Sequence, residues 1–121
     1  MILDDVGQHL PEAGSFERAA AVPGMFLAWC VNMGLVSEAL HERAETAIVR
    51  LKYREITGGE FLVASCGGSL DTAYLSETGR TFAARCYPEF LVKAAELVGG
   101  DVEDKWPHYD CVAPWLTGRY L

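Results

Sequence analysis

Apolar positions run unbroken from Met25 to Val31 and resume at Met33, leaving almost no polar face. A segment that is apolar all round is buried by neighbours on several sides, so residues 22–33 are predicted to form a central helix. Val22-Pro23-Gly24 opens it, proline being tolerated in a first turn where its missing N–H costs nothing, and Gly34 fits the left-handed residue that closes it. Downstream, Leu40, Ala44, Ala47, Ile48 and Leu51 recur at the helical period behind Ser37, a good N-cap. Glu38, Glu42 and Glu45 come early and Arg50, Lys52 and Arg54 late, the order that complements a helix macrodipole. The pattern predicts one helix over 37–54.

Thr57-Gly58-Gly59-Glu60 has the Thr-x-x-Glu form of a capping box and leads into the apolar run Phe61–Cys66, which Gly67-Gly68 ends. Phe61-Leu62-Val63-Ala64 could also pass for a buried strand. Helix is preferred, because no partner strand is evident and a lone strand leaves its backbone groups unpaired. Residues 71–75 read as a turn, and Ser76 caps a long stripe through Phe82, Ala83, Cys86, Tyr87, Phe90, Leu91, Ala94 and Leu97. Pro88 predicts a kink or restart within it. After Gly99-Gly100, Asp110 is placed to cap a last short helix holding Val112, Trp115 and Leu116. Residues 1–21 carry little pattern beyond one helical turn over 16–21. The expectation is a single all-α domain over 1–121, a compact bundle of about five helices with a weakly structured N-terminal segment.

The chain of 121 residues is half hydrophobic and 22% charged, a balance that supports a packed core. Seventeen acids against ten bases give a formal charge of −7. Such a surface repels phosphate backbones, which argues against nucleic acid, and attracts basic protein surfaces. Met1–Asp5 carries two acids where a signal peptide needs bases, and no apolar run approaches the roughly 20 residues of a bilayer span, so a cytoplasmic protein without membrane partners is expected. Cys30, Cys66, Cys86 and Cys111 lack metal-type spacing and lie among apolar neighbours, predicting buried reduced thiols.

No catalytic constellation assembles from the motifs. There is no Gly-x-Ser-x-Gly elbow, and no glycine pair leads into a phosphate loop. His41 falls on the polar side of its helix and His9 in the weakly patterned start, leaving His108, flanked by Pro107 and Tyr109. A small enzyme would use His108 with Asp110 or Glu103. A cation site from Glu103, Asp104, His108 and Asp110 lacks EF-hand spacing, and a solvated acidic face is the simpler reading. No metal or other cofactor is expected. What remains is an acidic, aromatic segment: Asp101, Glu103, Asp104, Trp106, His108, Tyr109 and Asp110 form the candidate partner-binding surface. Trp and Tyr suit interface hot spots, and carboxylates draw in Lys and Arg. Trp106, Trp115 and Tyr120 could instead form a self-association patch of a homo-oligomeric regulatory or scaffold module.

Gly24-Met25-Phe26-Leu27-Ala28-Trp29-Cys30, continuing through Gly34-Leu35-Val36-Ser37, resembles a family of small uncharacterised bacterial proteins that share this core-helix motif. The similarity extends over Arg54–Leu62, Leu75–Gly79 and the late Trp106-x-x-Tyr109-Asp110. The resemblance implies a compact bacterial protein of a kind often encoded beside toxins, where such proteins commonly serve as immunity proteins. The expectation is therefore a non-enzymatic antitoxin, monomeric or weakly dimeric, that occludes a cognate toxin with a basic surface.

Overall fold

The computed structural model describes residues 1–121. In chain order the elements are β1 (Ile2–Asp5), α1 (Val6–Ala13), α2 (Phe16–Ala19), α3 (Ala21–Asn32), α4 (Glu38–Arg43), α5 (Glu45–Lys52), α6 (Gly58–Cys66), β2 (Ser69–Asp71), a 3-10 turn (Thr72–Tyr74), α7 (Glu77–Val98) and α8 (Trp106–Tyr120). The fold is mostly helical, but eight α-helices replace the expected five or so, and a two-stranded antiparallel sheet is added.

Ten of the twelve residues of α3, Ala21 and Pro23–Val31, are buried. Its most extensive contact is with α6. Thr57 and Glu60 cap α6 reciprocally: the Thr57 hydroxyl accepts the Glu60 N–H at 3.1 Å, and Glu60 Oε1 accepts the Thr57 N–H at 2.8 Å. The two helices meet through glycines. A Cβ at Gly24 would stand 2.5 Å from the Gly59 Cα, and one at Gly58 would stand 2.6 Å from the Gly24 carbonyl carbon. Only residues without side chains allow the two backbones this close.

The other flank of α3 meets α7. Phe26 stacks on Phe82 at 6.1 Å and stands edge-on to Tyr87 at 4.9 Å, with Trp29 tilted against Phe82. Trp29 Nε1 donates to the Thr117 hydroxyl of α8 at 3.1 Å, which satisfies the indole N–H inside the core.

Several sequence expectations need correction. Residues 1–21 are ordered: β1 pairs with β2, Asp5 caps α1 and Ser15 caps α2. The predicted helix over 37–54 breaks at Ala44, whose φ of −115° and ψ of 26° leave the helical region between α4 and α5. Pro88 neither ends nor restarts α7, which runs from Glu77 to Val98. The last helix begins at Trp106, with Lys105 as N-cap, so Asp110 lies inside α8 and caps nothing. All four cysteines are free, and Cys111 is exposed while the other three are buried. Burial pushes the Cys66 thiol up to about 11, as suits an inert core thiol.

Candidate functional site

The segment singled out by sequence divides into three groups once folded. Asp101 is 88% exposed and lies 3.8 Å from Arg18 of α2. Glu103 shares Arg18, at 3.9 Å, and holds Lys105 Nζ at 3.1 Å, and that lysine keeps its carboxyl below the usual range. These two acids are therefore partly neutralised within the chain.

Trp106, Tyr109 and Asp110 gather around Arg54. Asp110 accepts from both guanidinium ends at 2.6 and 3.0 Å, the bidentate geometry of a strong pair. The guanidinium carbon sits 4.6 Å from the Trp106 ring centroid, and Trp106 meets Tyr109 edge-on at 4.9 Å. Tyr109 is buried and accepts from Asn32 Nδ2 at 2.8 Å. Arg54 is the sole non-glycine residue with positive φ, at 61°, directly after the C-cap of α5. That position usually takes glycine, so nothing in the sequence marked Arg54 as the hub of this cluster. His108 is half-buried, and its Nδ1 accepts the Glu103 backbone N–H at 3.0 Å. It closes the turn before α8 and makes no hydrogen bond with Asp110 or the Glu103 side chain. Trp115 stacks on Phe90 at 6.0 Å and Tyr120 packs edge-on against Trp29 and Phe82, so the rings assigned to self-association face the chain's own core.

Asp104 turns inward to the N-terminus of α6. Its Oδ1 accepts the Gly59 N–H at 3.0 Å and its Oδ2 accepts the Thr57 hydroxyl at 2.6 Å. A carboxylate here complements the helix dipole and fills an otherwise orphan donor. Burial raises the Asp104 carboxyl above the ordinary range; Thr57 and Gly59 pull it back, and the charges of Glu60 and Glu17 push it further up. All three carboxylates line a groove of about 310 Å³ between α2 and α6, together with Phe16, Ala20, Gly59 and Val63.

A second polar cluster escaped the sequence reading altogether. The register of the β1–β2 pairing shifts between Ile2 and Asp4, and Asp4 is only 3% exposed. Its carboxylate contacts His9 Nε2 at 2.7 and 2.8 Å, accepts the Asp5 N–H at 2.8 Å, and accepts the buried Tyr87 hydroxyl. A single aspartate in a four-residue strand has no pattern that could reveal this role.

Glu103, Asp104, His108 and Asp110 each find different partners, and no group of three or more His, Cys, Asp or Glu side chains is placed to hold a metal ion. No helix is long and apolar enough to cross a membrane. A family model described as a domain of unknown function, DUF7832, matches residues 3–107, from β1 into the first turn of α8. Neither a curated protein nor a solved structure matches.

Proposed function

We propose, for a chain that belongs to the DUF7832 family, the role of an immunity protein: a bacterial cytoplasmic binding module that occludes a cognate toxin through an acidic surface. In this reading it acts by binding alone, as a monomer or weak dimer, with no cofactor. The observation that carries it is carboxylate charge that the chain does not neutralise. Glu12, Glu17, Glu38, Glu42, Glu45 and Glu77 make no ion pair, whereas six of the ten lysines and arginines are paired internally. Unpaired like charges on a fold this small cost self-repulsion, and a positively charged partner recovers it.

The physics of such inhibition is simple. A toxin that cuts nucleic acid or binds nucleotides carries a basic cleft, and carboxylates placed where phosphates would lie block it. A standard interface takes about 800 Å² per partner, and this chain exposes 6230 Å². Electrostatic steering makes association fast at low salt and slower as salt screens it.

The test is functional. A candidate toxin domain from a gene adjoining this one is expressed in a sensitive bacterium with and without the chain. Growth arrest by the domain alone and rescue by co-expression is the expected result. Arrest that the chain does not relieve, or a neighbouring gene without a toxic product, contradicts the reading.

A further inference from the structure

We propose that the groove between α2 and α6 receives a lysine side chain of a protein partner, with Glu17, Glu60 and Asp104 around the ammonium and Phe16, Ala20 and Val63 along its stem. This deepens the inhibitor reading and rests on it for the partner's identity, but the binding chemistry can be tested separately.

The groove has the two parts that such a side chain requires. Its floor is apolar, with the Phe16 ring left 48% exposed although hydrophobic burial would favour covering it. Four methylenes lie well on such a surface while the charged end reaches a polar rim. The rim is supplied by three separate elements: Glu17 by α2, Glu60 by α6, and Asp104 by the turn leading to α8. None of the three makes an ion pair, and the charged groups that act on Asp104 are both acids. Arg18, the base next to Glu17, is engaged with Asp101 and Glu103 instead.

Position 59 explains why the groove stays open. A Cβ there would stand 2.6 Å from the Asp104 carboxyl carbon, so glycine lets Asp104 reach the backbone and leaves no side chain across the opening. An ammonium is favoured over a guanidinium because it is a compact charge with three donors, able to meet acceptors arriving from three directions. The volume of about 310 Å³ is at the small end of ligand sites.

The experiment titrates the ¹⁵N-labelled full chain with the capped tripeptide acetyl-Ala-Lys-Ala-amide, with norleucine in place of lysine as the uncharged control. Saturable shifts centred on the amides of Glu17, Gly59, Glu60 and Val63, absent with norleucine, are expected. Glu17→Lys changes an exposed side chain that holds no hydrogen bond, so it leaves the fold intact; it is expected to weaken the lysine peptide at least tenfold. Glu38→Lys makes the same charge change on α4 and is expected to leave affinity within about twofold. Equal shifts with norleucine, shifts spread over Glu38–Glu45, or equal weakening by the two variants would overturn the groove.

Toxin rescue separates the two claims. Rescue that survives Glu17→Lys removes the groove and leaves the inhibitor reading standing. A groove that binds the peptide in a chain that rescues nothing has the opposite meaning.

Discussion

Arg54 shows how one side chain can justify an unfavourable backbone. A non-glycine residue in the left-handed region gives up about 1–2 kcal/mol. Here the side chain recovers part of that through Asp110 and the Trp106 face. Both partners are about half exposed, so the ion pair is screened and contributes under about 1 kcal/mol, with about 0.5–1 kcal/mol more from the cation–π contact. Arg54→Gly alone is therefore expected to change stability by less than about 0.5 kcal/mol. In an Asp110→Asn background the pair is already lost, and Arg54→Gly should stabilise by about 0.5–1 kcal/mol. Urea midpoints of the four proteins measure this cycle; additive values would remove the coupling.

Acid titration follows from the same residue. Arg54 holds the Asp110 carboxyl below its usual range, and the Ala73 N–H and Ser69 hydroxyl do likewise for Asp71 and Asp5. A lowered folded value gives stability that is fully present above the unfolded value of about 3.9 and lost as pH falls through the folded one. Asp104 has the opposite sign: its raised value costs the fold stability as pH rises from about 3.9 through that value. Asp110→Asn should therefore reduce the acid-induced loss below about pH 4, read from denaturation midpoints across the acid range. An unchanged acid limb would contradict the assignment.

Asp4 carries more weight. Leaving a buried donor without its acceptor costs about 1–3 kcal/mol, and Asp4→Ala strands both the buried Tyr87 hydroxyl and the Asp5 N–H. Asp4→Ala should destabilise the chain by about 3 kcal/mol, against about 1 kcal/mol for Tyr87→Phe, which removes donor and demand together. Similar costs for both variants, measured by urea denaturation, would mean that the carboxylate is not the centre of the cluster.

Among the elements, those with strong local signals were legible. The apolar run of α3, the capping box of α6 and the long stripe of α7 each follow from neighbours within a turn or two. The β1–β2 pairing was not, because it joins residues nearly seventy positions apart and strands of three or four residues show no periodicity. The break at Ala44 escaped notice because the apolar stripe continues across it: Leu40, Ala44, Ile48 and Leu51 are all buried on either side. The acidic and aromatic character of residues 101–110 is plain in the sequence, but Asp104 and Asp110 take their roles from Gly59 and Arg54, residues 45 and 56 positions away. Local pattern cannot supply such partners. The α3–α6 crossing gives the sharpest prediction at this scale. Gly24→Ala places a methyl group against the Gly59 backbone, which cannot swing aside, and should cost about 3 kcal/mol. Gly118→Ala, where an added Cβ meets nothing within 4 Å, should be neutral or slightly stabilising. Thermal melts of the two variants compare the sites directly.

For the whole molecule, the fold places most of its aromatic rings in the core and, Asp4 apart, leaves most of its charge at the surface. Trp29, Phe26, Phe82, Tyr87 and Phe90 interlock between α3 and α7, and α8 adds Trp115 and Tyr120 to the same cluster. Glu12, Glu17, Glu38, Glu42, Glu45 and Glu77 make no ion pair within the fold, and the groove beside α6 gathers Glu17, Glu60 and Asp104 over an apolar floor. Calorimetric titration of the purified chain with a candidate toxin domain, taken from a gene adjoining its own, at low and high salt, puts this to the most direct test. Tight one-to-one binding that weakens severalfold as salt rises, and that Glu17→Lys impairs, is the predicted result. No heat of binding at either salt concentration would contradict it.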